Sequence, residues 1–191
     1  MAMKTYQATV TPVIPEHSKS RGRPPETFLD ALVEWGRRAP EEVFAPNRVN
    51  QDIYASVKPE LGPWDGPEHR RAMMLEVLRV LAGFESSWNW KEGRDLAANN
   101  TSPETEETGI FQVSANSMAF DGSLRELVWA RLGTVDARAF IRGIKADHEL
   151  ALEYAARWLR FTVRHNGPVL RREIHCCVRR DAVEEFRGLL R

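Results

Sequence analysis

The alternation of apolar and polar residues along the chain predicts a mainly helical protein. Residues 26–38, "ETFLDALVEWGRR", repeat apolar and charged positions at helical spacing and predict a short helix. A stronger helix is predicted from about Pro67, a residue type favoured in the first helical turn, to about Ser86. Further helices are predicted in the second half of the chain, over residues 122–131, 136–164 (broken near Gly143) and 178–190.

Two segments interrupt this pattern. Residues 40–67 contain five prolines, which cannot donate a backbone hydrogen bond inside a helix, and we expect mostly loop there. Residues 91–120 are a polar excursion of about 30 residues, a length that indicates a functional role. Within it, "GIFQVS" predicts a short strand. The expected fold class is therefore mainly α (α+β): a helical domain whose long polar insertion carries a small β-hairpin.

Prolines also divide the chain, since nine of the eleven lie before residue 70. Residues 1–25 end in the basic stretch "RGRPP" and predict an extended or disordered N-terminal arm. The remaining residues, 26–191, are enough for one domain with a hydrophobic core. We therefore expect an arm at 1–25 and a single domain at 26–191.

Composition and charge exclude some classes of partner. The chain is 42% hydrophobic and 28% charged, as in ordinary globular proteins, and its 27 basic residues balance 27 acidic ones. Without an overall field we expect neither nucleic-acid binding nor attraction to a membrane. No apolar run approaches the roughly 20 residues that span a bilayer, so membrane insertion is not expected. The N-terminus lacks the apolar centre of a signal peptide, which predicts synthesis in the cytoplasm without Sec-dependent export.

The two cysteines, Cys176 and Cys177, are neighbours. A disulfide between adjacent residues is strained, and "HCC" lacks the spacing of a zinc site. We expect one or both to be small buried residues, and we expect no metal or cofactor.

Glu85 is the residue that points to chemistry. It lies in the last turn of the predicted 67–86 helix, on the apolar stripe, because the residues four, seven and eleven positions before it are Leu81, Leu78 and Met74. The polar residues Glu76 and Arg79 project from the other face. Burial and the negative end of the helix dipole would both raise the pKa of Glu85, and a protonated carboxyl can act as a general acid. The alternative is a glutamate that ends its helix in solvent.

The stretch "SSWNW" follows this acid directly. Hydroxyl, amide and indole groups, here including Ser87 and Trp88, suit sugar rings, which have apolar faces edged with hydroxyls. Core packing is the alternative for Trp88 and Trp90, and we expect one of the two to pack.

These residues resemble a known superfamily. "ESSWNW", followed further along by "ETGIFQVSANS", is similar to the lysozyme-like superfamily, in particular to soluble lytic transglycosylase and goose-type lysozyme domains. There a glutamate ends a core helix and a Gly-hydrophobic-hydrophobic-Gln segment returns beside it, here Glu85 and Gly109–Gln112. The resemblance covers residues 68–170, and it implies a lysozyme-like domain that cleaves the β-1,4 bond between N-acetylmuramic acid and N-acetylglucosamine.

The resemblance also implies roles for individual residues. Glu85 would be the general acid, Gln112 would line the sugar cleft, and Phe111 would pack the hairpin. Beyond the resemblance, we also expect glycan binding by Ser87, Trp88, Ser114, Asn116 and Asn166. The chain departs from the family pattern at two places. Ser114 stands where goose-type enzymes carry an aspartate, and "RHNGP", with Asn166, replaces an Ala-Tyr-Asn-Ala-Gly segment.

A hydrolase also needs a second carboxylate that orients water. The candidates are Asp95, Glu104, Glu106 and Glu107. Glu107 is the first choice because it lies two residues before Gly109, on the segment expected to face Glu85. If none of the four serves, a lytic transglycosylase that uses Glu85 alone is the alternative.

Two further alternatives and the expected partners complete the sequence-based hypothesis. The acidic segment 101–121 would suit a chitosanase or chitinase, and the arginine-rich residues 157–180 would suit a non-catalytic interaction module. For a muramidase the partner is the glycan strand of peptidoglycan. Without a Sec signal we expect delivery to the periplasm or wall of a target bacterium by type VI secretion or phage lysis, and for an injected toxin an immunity protein that plugs the cleft.

Overall fold

The structure, a computed structural model of the 191-residue chain, describes residues 5–15, 20–47, 51–94 and 102–191. Eight α-helices lie within these ranges: α1 (Glu26–Arg38), α2 (Ile53–Leu61), α3 (Pro67–Ser86), α4 (Gly122–Leu132), α5 (Ala137–Ala146), α6 (His148–Phe161), α7 (Gly167–Leu170) and α8 (Arg180–Leu189). The described ranges also contain two short 3-10 helices, Glu41–Phe44 and Ala115–Ala119. The predicted mainly helical class is therefore confirmed.

Helix α3 forms the centre of the fold. Every residue from Ala72 to Gly83 is buried, and α8, α1 and α6 pack around it. A helix that is covered on all sides is a core helix rather than an amphipathic surface helix. Close packing is visible at Gly36 of α1, where an added Cβ would lie 2.9 Å from a methyl group of Leu75.

The covered faces of α3 correct one sequence-based expectation. Glu76 and Arg79 were predicted to project away from the core, yet both are fully buried. Two hydrogen bonds of 2.6 and 2.8 Å join the Arg79 guanidinium to the Glu76 carboxylate, which also accepts from the backbone amide of Arg179 at 2.9 Å. Arg79 further donates to the carbonyl of Thr11 at 3.2 Å. The N-terminal segment and the start of α8 therefore cover the face that a helical wheel assigns to solvent.

The described part of the N-terminal segment, residues 5–15, contains bends and a turn and is packed against the rest of the protein. Val13 and Thr9 are fully buried, and the amides of Gln7 and Thr9 donate to the two carboxylate oxygens of Glu185 at 2.5 and 2.6 Å. The backbone of Arg21 then returns to Val13, donating to its carbonyl at 2.8 Å. The sequence predicts an extended or disordered arm and gives no sign of this burial. Residues 5–15 thus contribute to the core of the fold.

The helices begin and end partly where the spacing of apolar residues predicts. The predictions over residues 26–38 and 67–86 are confirmed, whereas the predicted loop over 40–67 is wrong because α2 forms there. Asp52 starts α2 by accepting a hydrogen bond from the amide of Ala55 at 2.8 Å. The long 136–164 segment breaks at Asp147 rather than near Gly143, because Asp147 ends α5 and caps α6.

The predicted strand "GIFQVS" is reduced to a single pair of residues. Among the described residues, β pairing is limited to one antiparallel bridge between Thr108 and Val113, with backbone hydrogen bonds of 2.9 and 3.1 Å. Ile110 and Phe111 are both buried although they are consecutive, so the segment turns instead of alternating between two faces. The predicted β-hairpin is therefore not found in the described ranges.

Two smaller expectations concern membranes and cysteines. Within the described ranges no helix combines the length and the apolar character that crossing a membrane requires. Both cysteines are free thiols; Cys177 is buried and donates to the carbonyl of Ile14, while Cys176 is exposed. Burial raises the pKa of the Cys177 thiol to about 12, so it stays protonated.

Replacing Arg79 by Leu should strongly destabilise the protein. The change leaves the carboxylate of Glu76 buried without its ion-pair partner, which is expected to lower the free energy of unfolding by about 3–5 kcal/mol. Arg38→Leu removes one partner of the exposed Arg38–Glu149 pair and should cost less than about 1 kcal/mol. Urea unfolding measures both changes, and equal losses in the two variants would contradict the structural role of the buried pair.

Candidate active site

The end of α3 brings Glu85 beside the segment 108–113. Glu85 is half-buried in the last turn, and the hydroxyl of the next residue, Ser86, reaches the carbonyls of Ala82 at 3.1 Å and Ile110 at 2.9 Å. This hydroxyl ties the polar insertion to the helix end. The glutamate and the Gly-Ile-Phe-Gln segment, separated by more than 20 residues in the sequence, are therefore neighbours in the fold.

Trp88 fixes the direction in which the chain leaves α3. Its indole nitrogen donates to the carbonyl of Arg79 at 3.0 Å, and its ring lies so close to Gly83 that an added Cβ would come within 2.5 Å of it. The ring is buried, so it has no face to offer a sugar, and the substrate-binding role predicted for Trp88 is not supported by this arrangement. Trp90 is also packed, stacked on His148 with ring centroids 3.9 Å apart.

The segment 108–113 is a tight turn that requires glycine. Gly109 has φ +71°, and an added Cβ would meet Ile144 at 2.5 Å. Its amide donates to the carbonyl of Glu92 at 2.9 Å, which anchors the turn. The side-chain amide nitrogen of Gln112 donates to the Gly109 carbonyl at 2.8 Å, which leaves the amide oxygen for another donor. Phe111 is buried as predicted.

The surroundings of Glu85 raise its pKa to about 7. Burial is the largest cause, and the negative charge of Glu107 adds to it. Arg171 and Arg21 act in the opposite direction, while Glu173 raises the pKa further. A carboxyl with this pKa is protonated in about half of the molecules near neutral pH, as a general acid requires.

Three of these charged residues were not found by sequence reasoning. Arg171 and Glu173 follow α7, where the guanidinium donates to the carboxylate at 2.7 Å. The guanidinium of Arg21 lies 5.0 Å from the centre of the Phe84 ring. Phe84 is the residue directly before Glu85. They come from opposite ends of the chain, and no local motif marks them. Only the tertiary fold places their charges near the acid.

The other predicted binding residues divide into exposed and structural groups. Ser87 is exposed at the left-handed end of α3, and the Ser114 hydroxyl donates to the side-chain oxygen of exposed Asn116 at 2.6 Å. Asn166, by contrast, is buried, and its oxygen accepts from the amide of Val169 at 3.1 Å. This bond caps α7, so the side-chain oxygen of Asn166 is engaged in holding the backbone.

The candidate second carboxylates also differ in position. Glu107 is exposed and its charge acts on Glu85. Glu104 is exposed and accepts a short hydrogen bond from the Ser102 hydroxyl, which lowers the pKa of its carboxyl. Glu106 lines a separate groove, and Asp95 lies outside the described residues. Glu107 is therefore the candidate that the electrostatics couple to the acid.

In the described part of the chain, no group of three or more His, Cys, Asp or Glu side chains is arranged to hold a metal ion. Comparison with known protein families, curated proteins and solved structures gives no match for this chain. The lysozyme-like resemblance stays a prediction, and the chemistry must be inferred from the residues around Glu85 themselves.

Replacing Glu85 by Gln should stabilise the protein above neutral pH. The pKa of Glu85 is about 7 in the folded protein and 4.5 for an ordinary glutamate. Between pH 4.5 and pH 7 the folded protein therefore binds a proton that the unfolded chain has lost, and stability falls as the pH rises through this range. Gln cannot lose a proton, so relative to pH 4 the gain in unfolding free energy should reach on the order of 3 kcal/mol by pH 8. Urea unfolding of both proteins over this range measures it. A gain independent of pH would show that Glu85 titrates normally.

Charge variants around Glu85 should move its pKa in opposite directions. Glu107→Gln removes a negative charge and should lower the pKa, whereas Arg171→Gln removes a positive charge and should raise it. NMR titration of the Glu85 carboxyl carbon measures both changes. Lys58→Gln, an equal change of charge on α2, serves as the matched control. Movement in the same direction in the Glu107 and Arg171 variants would refute this electrostatic account.

Proposed function

We propose that the protein is a peptidoglycan glycoside hydrolase, a muramidase, in which Glu85 is the general acid. One observation carries this proposal: a half-buried carboxyl with a pKa of about 7 ends the central helix beside a second carboxylate. Glycosidic cleavage needs a carboxyl that donates a proton to the leaving oxygen at working pH. Glu85 keeps its proton in the pH range where an exposed glutamate has already lost its own.

Glu107 is proposed as the base that orients the attacking water. It is exposed, so solvent can reach it, and its charge opposes ionisation of Glu85. In inverting hydrolysis the base takes a proton from a water molecule, whose oxygen bonds to the anomeric carbon on one face of the sugar ring. On the opposite face the acid gives its proton to the leaving oxygen as the glycosidic bond breaks. This division of roles favours hydrolysis over the lytic transglycosylase reaction, in which Glu85 would act alone.

The glycan is proposed to lie across the end of α3, between the 108–113 turn and the turn after α7. Side chains whose polar groups suit sugar hydroxyl and acetamido groups are proposed as its contacts: Ser87, Gln112, Ser114, Asn116 and Arg171. Trp88 is buried and the partly buried Trp90 stacks on His148, so these polar groups are proposed as the means of recognition. Hydrogen bonding rather than aromatic stacking would therefore dominate binding.

Purified sacculi incubated with wild type and variants test this function. Wild type should release muropeptides, and Glu85→Gln should reduce the rate by about 10²–10⁴-fold because the leaving oxygen is no longer protonated. The rate constant kcat/KM of wild type should fall as the pH rises through about 7, where Glu85 loses its proton. Glu126→Gln, the same change at an exposed position of α4, should leave the rate unchanged.

Product analysis decides between the reaction types. Mass spectrometry should find reducing ends, the products of hydrolysis, whereas anhydro ends would assign the chain to lytic transglycosylase chemistry. Chitosan offered separately tests the alternative substrate. If wild type cleaves neither polymer, or if Glu85→Gln cleaves sacculi as fast as wild type, the proposed function is wrong.

A further inference from the structure

A groove lined by three arginines lies between the polar insertion and α5, and Glu85 is not among the residues that line it. Its volume is about 460 Å³, and its lining residues are Arg94, Pro103, Glu106, Arg138, Ile141 and Arg142. This volume is within the range of sites that hold small ligands or short peptide segments. Its lining combines positive charge with one carboxylate and a small apolar surface.

Exposed positive charge lies along α5. Arg138 and Arg142 are exposed and one helical turn apart, and the charge of Arg138 acts on the exposed carboxyl of Glu104 and lowers its pKa. Like charges at this spacing destabilise a helix slightly. Lys145 follows Arg142 by three residues on the same side of α5. Its ammonium lies close to Gly93, 4.0 Å from the position that a Cβ on Gly93 would take. Cations thus gather along one side of α5, where an anionic ligand would relieve their repulsion.

The groove and the candidate catalytic pair share one segment of chain. Glu106 lines the groove, and the next residue, Glu107, is the carboxylate whose charge acts on Glu85. Arg94 follows Glu92, whose carbonyl anchors Gly109 at 2.9 Å. A branched ligand could therefore place one part near Glu85 and another part in the groove.

We propose that this groove binds the peptide stem of peptidoglycan. The inference rests on the proposed function, because the stem is attached to the muramic acid next to the bond that would be cleaved. Stems carry several carboxylates, which arginine binds through paired hydrogen bonds, and an ammonium group on the diamino acid, which the carboxylate of Glu106 suits. The groove would then select glycan that still bears its peptides.

The mixed charge of the groove favours a peptide over a nucleic acid. A phosphate chain would bring only negative charge, which Glu106 would repel, and the chain as a whole has no net positive charge that attracts polyanions. An acidic peptide with one ammonium group matches both signs of charge.

Two glycan substrates test the proposal: peptide-bearing sacculi, and the same glycan strands after an amidase has removed the stems. The double variant Arg138→Gln/Arg142→Gln should lower kcat/KM about tenfold on peptide-bearing glycan and leave it unchanged on bare strands. Arg142→Gln alone should show part of this loss. Lys58→Gln, an exposed cation of α2 outside the groove, is the matched control and should behave as wild type on both substrates.

Binding is measured separately from cleavage. Calorimetry with a synthetic stem peptide should detect binding to wild type, and about tenfold weaker binding to the double variant. Esterified peptide, which has lost its carboxylate charges, should bind as weakly as the unmodified peptide binds the variant. Circular dichroism and urea unfolding of the double variant exclude loss of folding as the cause.

The outcomes distinguish the two proposals. Equal losses on both glycans, no loss on either, or tighter binding of a single-stranded nucleic acid than of the peptide would overturn the stem-binding groove. Failure of wild type to cleave any glycan, with peptide binding intact, would overturn the muramidase function and keep the groove. Failure of both cleavage and peptide binding would overturn both.

Discussion

Burial of residues 72–83 of α3 on every side is the constraint on which the rest of the structure depends. A helix covered on all sides must satisfy every polar side chain that it carries, and α3 carries a glutamate and an arginine in its middle. The two pair with each other, and the remaining acceptor and donor positions are taken by the amide of Arg179 and the carbonyl of Thr11. The N-terminal segment and the start of α8 are therefore held by the same pair, since neither charge could remain buried without them.

The same burial prepares the site at the end of α3. Ser86 and Trp88 use their polar atoms on the carbonyls of α3 and of Ile110, so the helix end and the polar insertion are fixed relative to each other. Glu85 stands at the boundary between this core and the solvent. A fully exposed carboxyl there would ionise as usual, and a fully buried one could not reach a substrate; half-burial gives both a raised pKa and access.

Sequence patterns predicted what local rules decide. The limits of α1 and α3, and Glu85 as an acid with a raised pKa, follow from helical spacing and helix ends. Helix α2 was missed because a count of prolines does not show that the capping Asp52 starts a helix, or that Pro59 comes late in it. Packing of residues 5–15, burial of Glu76 and Arg79, and the position of Arg171 depend on contacts between distant segments, which one sequence does not reveal.

Backbone strain collects around the same carboxyl. In the described ranges, four residues other than glycine have φ in the left-handed region: Ser87, Trp88, Gln112 and Arg172. Such a conformation costs such residues roughly 1–3 kcal/mol each and persists where surrounding contacts determine it. Ser87 and Trp88 follow the last residue of α3, two and three positions after Glu85, and Gln112 lies in the turn held by Ser86. Arg172 lies between Arg171 and Glu173, the two charged residues that act on Glu85 from the turn after α7. Three segments far apart in the sequence thus contain residues with unfavourable φ angles. The carboxyl of Glu85, which these segments influence, also has a raised pKa. Natural proteins keep such unfavourable local conformations mainly at functional sites. Their positions around Glu85 are therefore in keeping with the proposal that the end of α3 is the functional site.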